Sequence, residues 1–287
     1  EENNLVTQMG IQIHSFDEYK SAVILIQSGI IGKVNTVRAW SPKNWGYDGL
    51  EPEGSDIIPK NLDWNLWLGT AKKRPYKDKI YHPGQWRKLL DYGCGTLGDM
   101  GVHIFDTPYA ALDLDVPNTV KNECRKSNGF GHPEHNKVSY VFPGTKYTKE
   151  SLKWVWYDGD GAPKKHKDLI LPNDEKLPDQ GAIFIGDKGR LLLPHWDFPK
   201  LIVDGKYEKL DYPKLDKSDH YHQFVDACLG KDKCSAPFSY ASRLTETILL
   251  GVIAGRFPNK VLHWNNENAK FSEEEANKFL ESKYRDF

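Results

Sequence analysis

The sequence predicts an α+β fold: one sheet with helices packed mainly on one face of it. Two observations carry this. The middle of the chain is a run of strand-like segments, while the helical segments are grouped rather than alternating with strands one for one. In addition, "GAIFIGDKGRLLLP" is a tight strand pair whose Asp187 to Gly189 fits a hairpin turn, which argues against a doubly wound parallel sheet.

Along the chain, "SFDEYKSAVILIQS" (15–28) predicts a helix with Ser15 as N-cap, acidic residues in the first turn and Gly29 as its stop. "GKVNTVRAWS" alternates Val34, Thr36 and Arg38 against Val37 and Ala39 and reads as a strand. Pro42 to Leu90 is rich in Pro, Gly, Trp and Tyr, with only short helical hints such as "LDWNLWLG"; so long an irregular segment is commonly functional or packed over a site. Thr96 to Leu114 then predicts a buried helix ended by "DVPNT". Strands are expected at "NTVKNECRKS", "NKVSYVFPG", "SLKWVWYDG", "KLIVDG" and "KVLHW", and helices at "SDHYHQFVDACLG", "SYASRLTETILLGVIAGRF" and "SEEEANKFLESK". No internal repeat or low-complexity tract interrupts them.

The 287 residues suffice for a substantial core. Lys plus Arg (39) balances Asp plus Glu (40), so nothing in the overall charge calls for nucleic acid or an anionic membrane as partner. The longest apolar candidate, "SAVILIQSGIIG", is interrupted by Gln27, Ser28 and Gly29, too early to span a bilayer, and a soluble protein is expected. Cys94, Cys124, Cys228 and Cys234 form no CxxC, which favours scattered thiols over a zinc or redox motif. The chain opens on Glu1 in "EENN" with no signal-peptide pattern, as if an upstream part were removed or left out.

The candidate chemistry centres on "GTLGDMGVHIFD" (95–106). In a helix, Asp99 and His103 lie on one face one turn apart. The pattern alone fits an i,i+4 structural pair as well as a catalytic dyad. Gly95, Gly98 and Gly101 weaken a helix, which suggests close approach to the backbone. The apolar flanks would protect the pair, and a neutral histidine near its ordinary pKa can take a proton from an alcohol while a carboxylate orients it or a neighbouring hydroxyl. Upstream, Trp86 offers a flat face for a sugar ring or a nicotinamide, and Arg87 a fork of donors; a core tryptophan beside a surface arginine is the plainer alternative. Gln8, Gln12 and His14 in "TQMGIQIHS" alternate as in a strand and could line a pocket or satisfy a sheet edge. The close pairs His132/His135 and His220/His222 lack zincin spacing and companion ligands, so no metal is expected. "GCGTLG" (93–98) has G-x-G-x-x-G spacing but no strand before it and no βαβ unit after it.

Taken together, "TQMGIQIHS", "LDWNLWLGTAKKRPY", "YHPGQWRKLLDYGCGTLGDMGVHIFD", "FIGDKGRLLLP", "SRLTETILLGVIAGR" and the terminal "YRDF" resemble the C-terminal domain of the Gfo/Idh/MocA oxidoreductases, the glucose-fructose oxidoreductase and inositol dehydrogenase family. The resemblance runs from about Val6 to the end. It implies a large open, mostly antiparallel or mixed sheet of glyceraldehyde-3-phosphate dehydrogenase-like type, with residues 1–287 forming one substrate-binding and oligomerisation domain. It implies Asp99 and His103 over a nicotinamide, with His103 as acid/base and Asp99 orienting it or the substrate. Trp86, Arg87 and Tyr92 would stand on the substrate or nicotinamide side, and Gln12 and His14 at the rim. The family's Rossmann half and its E-K-P lysine are absent here, so NAD or NADP is expected in a longer parent and not on this chain alone. Ile11 departs from the asparagine often found there. Three functions follow from these expectations: a sugar or polyol dehydrogenase, a redox-assisted lyase, epimerase or glycosidase, and a non-catalytic sugar-binding or assembly module. A homo-oligomer built through the open sheet face is expected; the compartment stays open, with an exported parent favoured over a cytoplasmic one.

Overall fold

A computed structural model describes residues 3–216, 219–282 and 284–285. Glu1, Glu2, Lys217, Ser218, Lys283, Asp286 and Phe287 lie outside the described residues, and with them the start of "EENN" and the end of "YRDF". The alternation in "VNTVRAW" becomes β1 (Val34–Trp40). Its Val37 and Ala39 join the core under the helices, while Trp40 packs into a separate cluster on the other face.

The further strands are β2 (Thr119–Glu123), β3 (Lys137–Pro143), β4 (Thr148–Tyr157), β5 (Gly181–Gly186), β6 (Arg190–Pro194), β7 (Lys200–Val203), β8 (Lys206–Glu208), β9 (Val261–Asn265) and β10 (Lys270–Phe271). Among the described residues they form one sheet in the order β10-β9-β2-β3-β4-β1-β5-β6-β7-β8. Only the β1–β4 pairing is parallel, so the sheet is mostly antiparallel. The hairpin expected at Asp187–Gly189 joins β5 to β6. The two- and three-residue strands β10 and β8 were not foreseen, being too short to show a period of two.

Six helices are described: α1 (Asp17–Gln27), α2 (Trp64–Leu68), α3 (Gly95–Ala111), α4 (His220–Cys228), α5 (Phe238–Ala254) and α6 (Glu274–Asn277). Tyr19 and Ile26 of α1, Leu97, Ile104 and Phe105 of α3, and Leu244 and Ile248 of α5 pack on Tyr140, Trp154, Trp156 and Phe184 of the sheet. On the opposite face Trp40, Val155, Ile183, Leu192 and Ile202 are covered by Leu169 and Leu171, with Ala162 and Leu177 packed against them. There Arg38 is buried and donates to Asp168 Oδ2 (2.8 Å) and Tyr157 Oη (2.6 Å). Elsewhere on that face Val141 and Lys153 are exposed. None of the described helices is long and apolar enough to cross a membrane.

Three local expectations are corrected. Ser15 does not cap α1: Gln12–Ser15 forms a 3-10 turn, Phe16 takes the N-cap position without a side-chain cap, and Ser15 Oγ is 2.9 Å from His220 Nδ1. The same turn replaces the strand-like register expected for Gln12 and His14. Among its described residues "SEEEANKFLESK" gives only the single turn α6, whose last residue, Asn277, spends its side chain on the backbone of Phe271.

The aromatic segment between β1 and α3 has a core of its own, formed by Trp64, Leu68, Tyr76, Tyr81, Leu89 and Phe130. Trp64 stacks on Trp67 at 4.8 Å between centroids, and Asp63 caps α2 by accepting the Leu66 N–H (3.0 Å). His132 joins this cap to α3. Its Nε2 lies 2.8 Å from the Gly93 carbonyl, and its ring fills the space beside Gly95, where a Cβ would meet it at 3.1 Å on a residue with φ +63°.

Burial lowers the pKa of His132 from 6.5 to about 4. The native state therefore refuses a proton that the unfolded chain accepts below pH 6.5, so stability is full above that pH and falls as pH drops toward 4. The expected loss is up to ~3 kcal/mol. Urea unfolding at pH 7 and pH 4.5 should show a smaller pH effect in His132→Gln than in wild type; an equal effect would refute this.

Candidate functional site

Helix α3 begins at Gly95, and its first turn is tied to the chain that leaves β1. Thr96 Oγ1, fully buried, accepts the Trp45 N–H (2.7 Å) and donates to the Lys43 carbonyl (3.3 Å). Through this tie Trp45 reaches Asp99, donating from Nε1 to Oδ2 at 2.7 Å. Arg87 Nε–H donates to the other oxygen, Oδ1, at 3.0 Å. The Arg87 guanidinium stands 4.6 Å from the Trp86 ring centre and 5.5 Å from that of Trp45. Trp86 and Arg87 share the 3-10 turn Gln85–Lys88, so Asp99, Arg87 and Trp86 come together as expected, with Trp45 added.

His103 follows one turn further along α3. No hydrogen bond joins it to Asp99, whose carboxylate is held by Arg87 and Trp45 instead, and its Nδ1 is buried without a partner among the described residues. Burial lowers the His103 pKa below 6.5, with Lys43 adding to the effect and Asp99 and Asp106 opposing it. His103 is therefore neutral at pH 7 and half-buried.

The other expected residues have contacts of their own. Tyr92 packs in the aromatic cap, 5.0 Å from the Trp67 ring and with the Arg74 guanidinium 5.5 Å from its own. Its hydroxyl is buried without a partner among the described residues and pushed up to about 12 by burial. His14 lies beside α3, its Nδ1 2.9 and 2.8 Å from the two oxygens of Asp106, which also accepts the Tyr240 hydroxyl (2.6 Å). Asp106 is almost fully buried. Burial alone would lower the His14 pKa, but the hydrogen bond and charge of Asp106 outweigh it and raise it. Gln12 opens the 3-10 turn, and no hydrogen bond links it to Asp99 or His103. Of the histidines weighed as metal ligands, His132 meets Gly93, and His220 meets Ser15 and the Met9 carbonyl (2.8 Å). The glycines of α3 make room for the protein's own side chains, since a Cβ at Gly98 would meet that of Cys94 at 2.2 Å.

Residues 18–148 match the model of the oxidoreductase family's C-terminal alpha/beta domain, GFO_IDH_MocA_C2. Over that stretch, a little under half of its length, the chain is similar to a Gfo/Idh/MocA C-terminal domain. Its fold is similar to that of three solved structures. One is an NAD-binding protein from Listeria innocua, at TM-score 0.55 and 14% identity over 89% of this chain and 66% of that one. Another is an aldose-aldose oxidoreductase from Caulobacter crescentus complexed with glycerol, at 0.54 and 12% over 91% and 65%. A third is a super-repressor mutant of Gal80p from Saccharomyces cerevisiae, at 0.52 and 14% over 91% and 66%. At these identities the likeness is one of fold, and the chain spans just under two thirds of the length of each. No curated protein matches the sequence.

Sequence reasoning missed Trp45, Lys43, His195 and Tyr19 around helix α3, because they come from segments that no spacing connects to "GTLGDMGVHIFD". Asp106 stood inside that motif, and only its i+3 distance from His103 marked it.

The two classes of histidine can be separated by titration. Imidazole NMR should place His14 above pH 6.5 and His103 below it; the reverse order would refute the roles given to Asp106 and to burial. Because its folded pKa is raised, His14 contributes stability that is present below pH 6.5 and lost as pH rises through that folded pKa.

Proposed function

We propose that this chain is the substrate-binding and assembly part of an NAD(P)-dependent oxidoreductase acting on a sugar, polyol or sugar derivative, with His103 as its acid/base. The observation that carries this reading is a neutral, half-buried imidazole one helical turn from a carboxylate held in place by Arg87 and Trp45. A neutral imidazole accepts a proton from a hydroxyl; the fixed carboxylate has lone pairs left to accept a neighbouring hydroxyl and hold the substrate in line. The Trp86 face beside Arg87 suits the apolar face of a sugar ring.

The described residues do not form a dinucleotide cradle. "GCGTLG" leads from a turn into α3, with no strand before it, and Gly93 is closed by the backbone of Arg87, 2.5 Å from where its Cβ would stand. On this reading NAD or NADP is held by a nucleotide-binding domain that these residues do not make. The family match and the NAD-binding neighbour from Listeria innocua support that cofactor, and the aldose-aldose oxidoreductase from Caulobacter crescentus supports a carbohydrate. A second reading, a binding module without catalysis, is favoured by the Gal80p neighbour.

Calorimetric titration of this chain with NAD and NADP should show no tight binding, and tight binding would overturn the placement of the cofactor. In the enzyme assembled with its nucleotide-binding domain, His103→Ala should lower kcat by about 10²-fold or more. Full turnover in that variant would remove the acid/base role and leave the binding module. Assembly is proposed through the open sheet face around Val141 and Lys153. Sedimentation should then show more than one chain per particle, and Val141→Asp should shift the particle to one chain; an unchanged mass would exclude that face.

A further inference from the structure

A second imidazole stands beside His103. His195 follows the last residue of β6, where its N–H donates to the Gln180 carbonyl (2.9 Å). Its Nδ1 lies 2.6 Å from the hydroxyl of Tyr19, a residue of α1 that is 2% exposed. The direction of that bond is fixed by chemistry. The Tyr19 hydroxyl is buried and keeps its hydrogen, and the acceptor within its reach is Nδ1 of His195. The neutral ring must then carry its proton on Nε2, at the edge turned away from Tyr19.

The rings of His195 and His103 are 6.4 Å apart and tilted by 50°, and both are half-exposed. One oxygen placed between them could meet a nitrogen of each at ordinary hydrogen-bond length. The two are chemically unlike. His195 has its lone pair occupied by Tyr19 and offers only a donor; His103 has no hydrogen bond from Asp99 and remains the one able to take a proton.

We propose that His195 is a substrate-binding residue of the His103 site, held by Tyr19 so that its Nε2–H donates to an oxygen of the sugar or polyol that His103 also meets. Tyr19 is the positioning residue that sets the tautomer. This rests on the carbohydrate reading above and adds a specificity element: the site demands an acceptor oxygen at the His195 position, so a deoxy analogue lacking it binds less well.

The test uses the 287-residue chain with its histidines labelled with 15N, followed by NMR during titration with glycerol, D-glucose and myo-inositol. The ring signals of His103 and His195 should move together and saturate at the same concentration, with His195 remaining the Nε2–H form. Tyr19→Phe should let His195 populate both tautomers. His195→Leu should weaken the response of His103 by roughly five- to tenfold, the measure of one net hydrogen bond. His195→Gln, which keeps an N–H donor, should retain most of it. If His103 responds and His195 does not, or if the Gln and Leu variants weaken the response equally, the role of His195 is overturned while the carbohydrate reading stands. If neither ring responds to any of the three probes, the carbohydrate reading fails and this proposal with it.

Discussion

The first turn of α3 is the constraint on which the rest of the structure depends. A helix starts with backbone N–H groups that no earlier turn can satisfy, and it needs something to fix its entry. Here no side chain caps it; Cys94 stands at the N-cap without a hydrogen bond of that kind. The entry is fixed from outside instead, by Thr96 bonded to the chain leaving β1 and by His132 against Gly93 and Gly95. Those contacts join the sheet, the helix layer and the aromatic cap at a single place. Asp99 and His103 project from the first two turns beyond it, so their positions follow those of β1 and of the cap.

Electrostatics then separates histidines that share one helix layer. His14 has a buried carboxylate within hydrogen-bond reach and is held toward the charged form. His103 and His195 have no such partner, and burial lowers both, His195 to about 4 with His103 and Lys43 contributing. Asp106 and Asp99 divide the work. Asp106 is used up by His14 and Tyr240, whereas Asp99 is fixed by Arg87 and Trp45 beside the neutral ring. Two carboxylates seven residues apart on one helix thus end in different roles, decided by what other segments bring to them.

Much of the architecture was legible because it rests on period. β3 alternates strictly enough to bury one face, the β5–β6 hairpin is marked by its apolar runs on either side of a turn, and α3 and α5 are long enough for their apolar residues to repeat. What failed was local and short. Ser15 had the chemistry of a cap, but the preceding residues close into a 3-10 turn and direct it to His220. The ring contacts of Tyr92 with Trp67 and Tyr81 in the aromatic cap were likewise not legible, because they join residues that no period connects. Gln12 and His14 read as a strand only because four residues are too few to distinguish a period of two from one of three.

The sequence by itself determined that strands and helices of this kind would make a sheet with a helical layer, and that one helix would carry a carboxylate and an imidazole on the same side. Both follow from nearest-neighbour geometry, which a linear chain records directly. Which carboxylate is free to act, which imidazole is neutral and which nitrogen holds its proton were decided only by tertiary structure. Trp45, Arg87, Tyr19 and His195 meet α3 from segments that are distant along the chain, and a pKa or a tautomer is set by what lies within a few ångströms in space, whatever the separation in sequence.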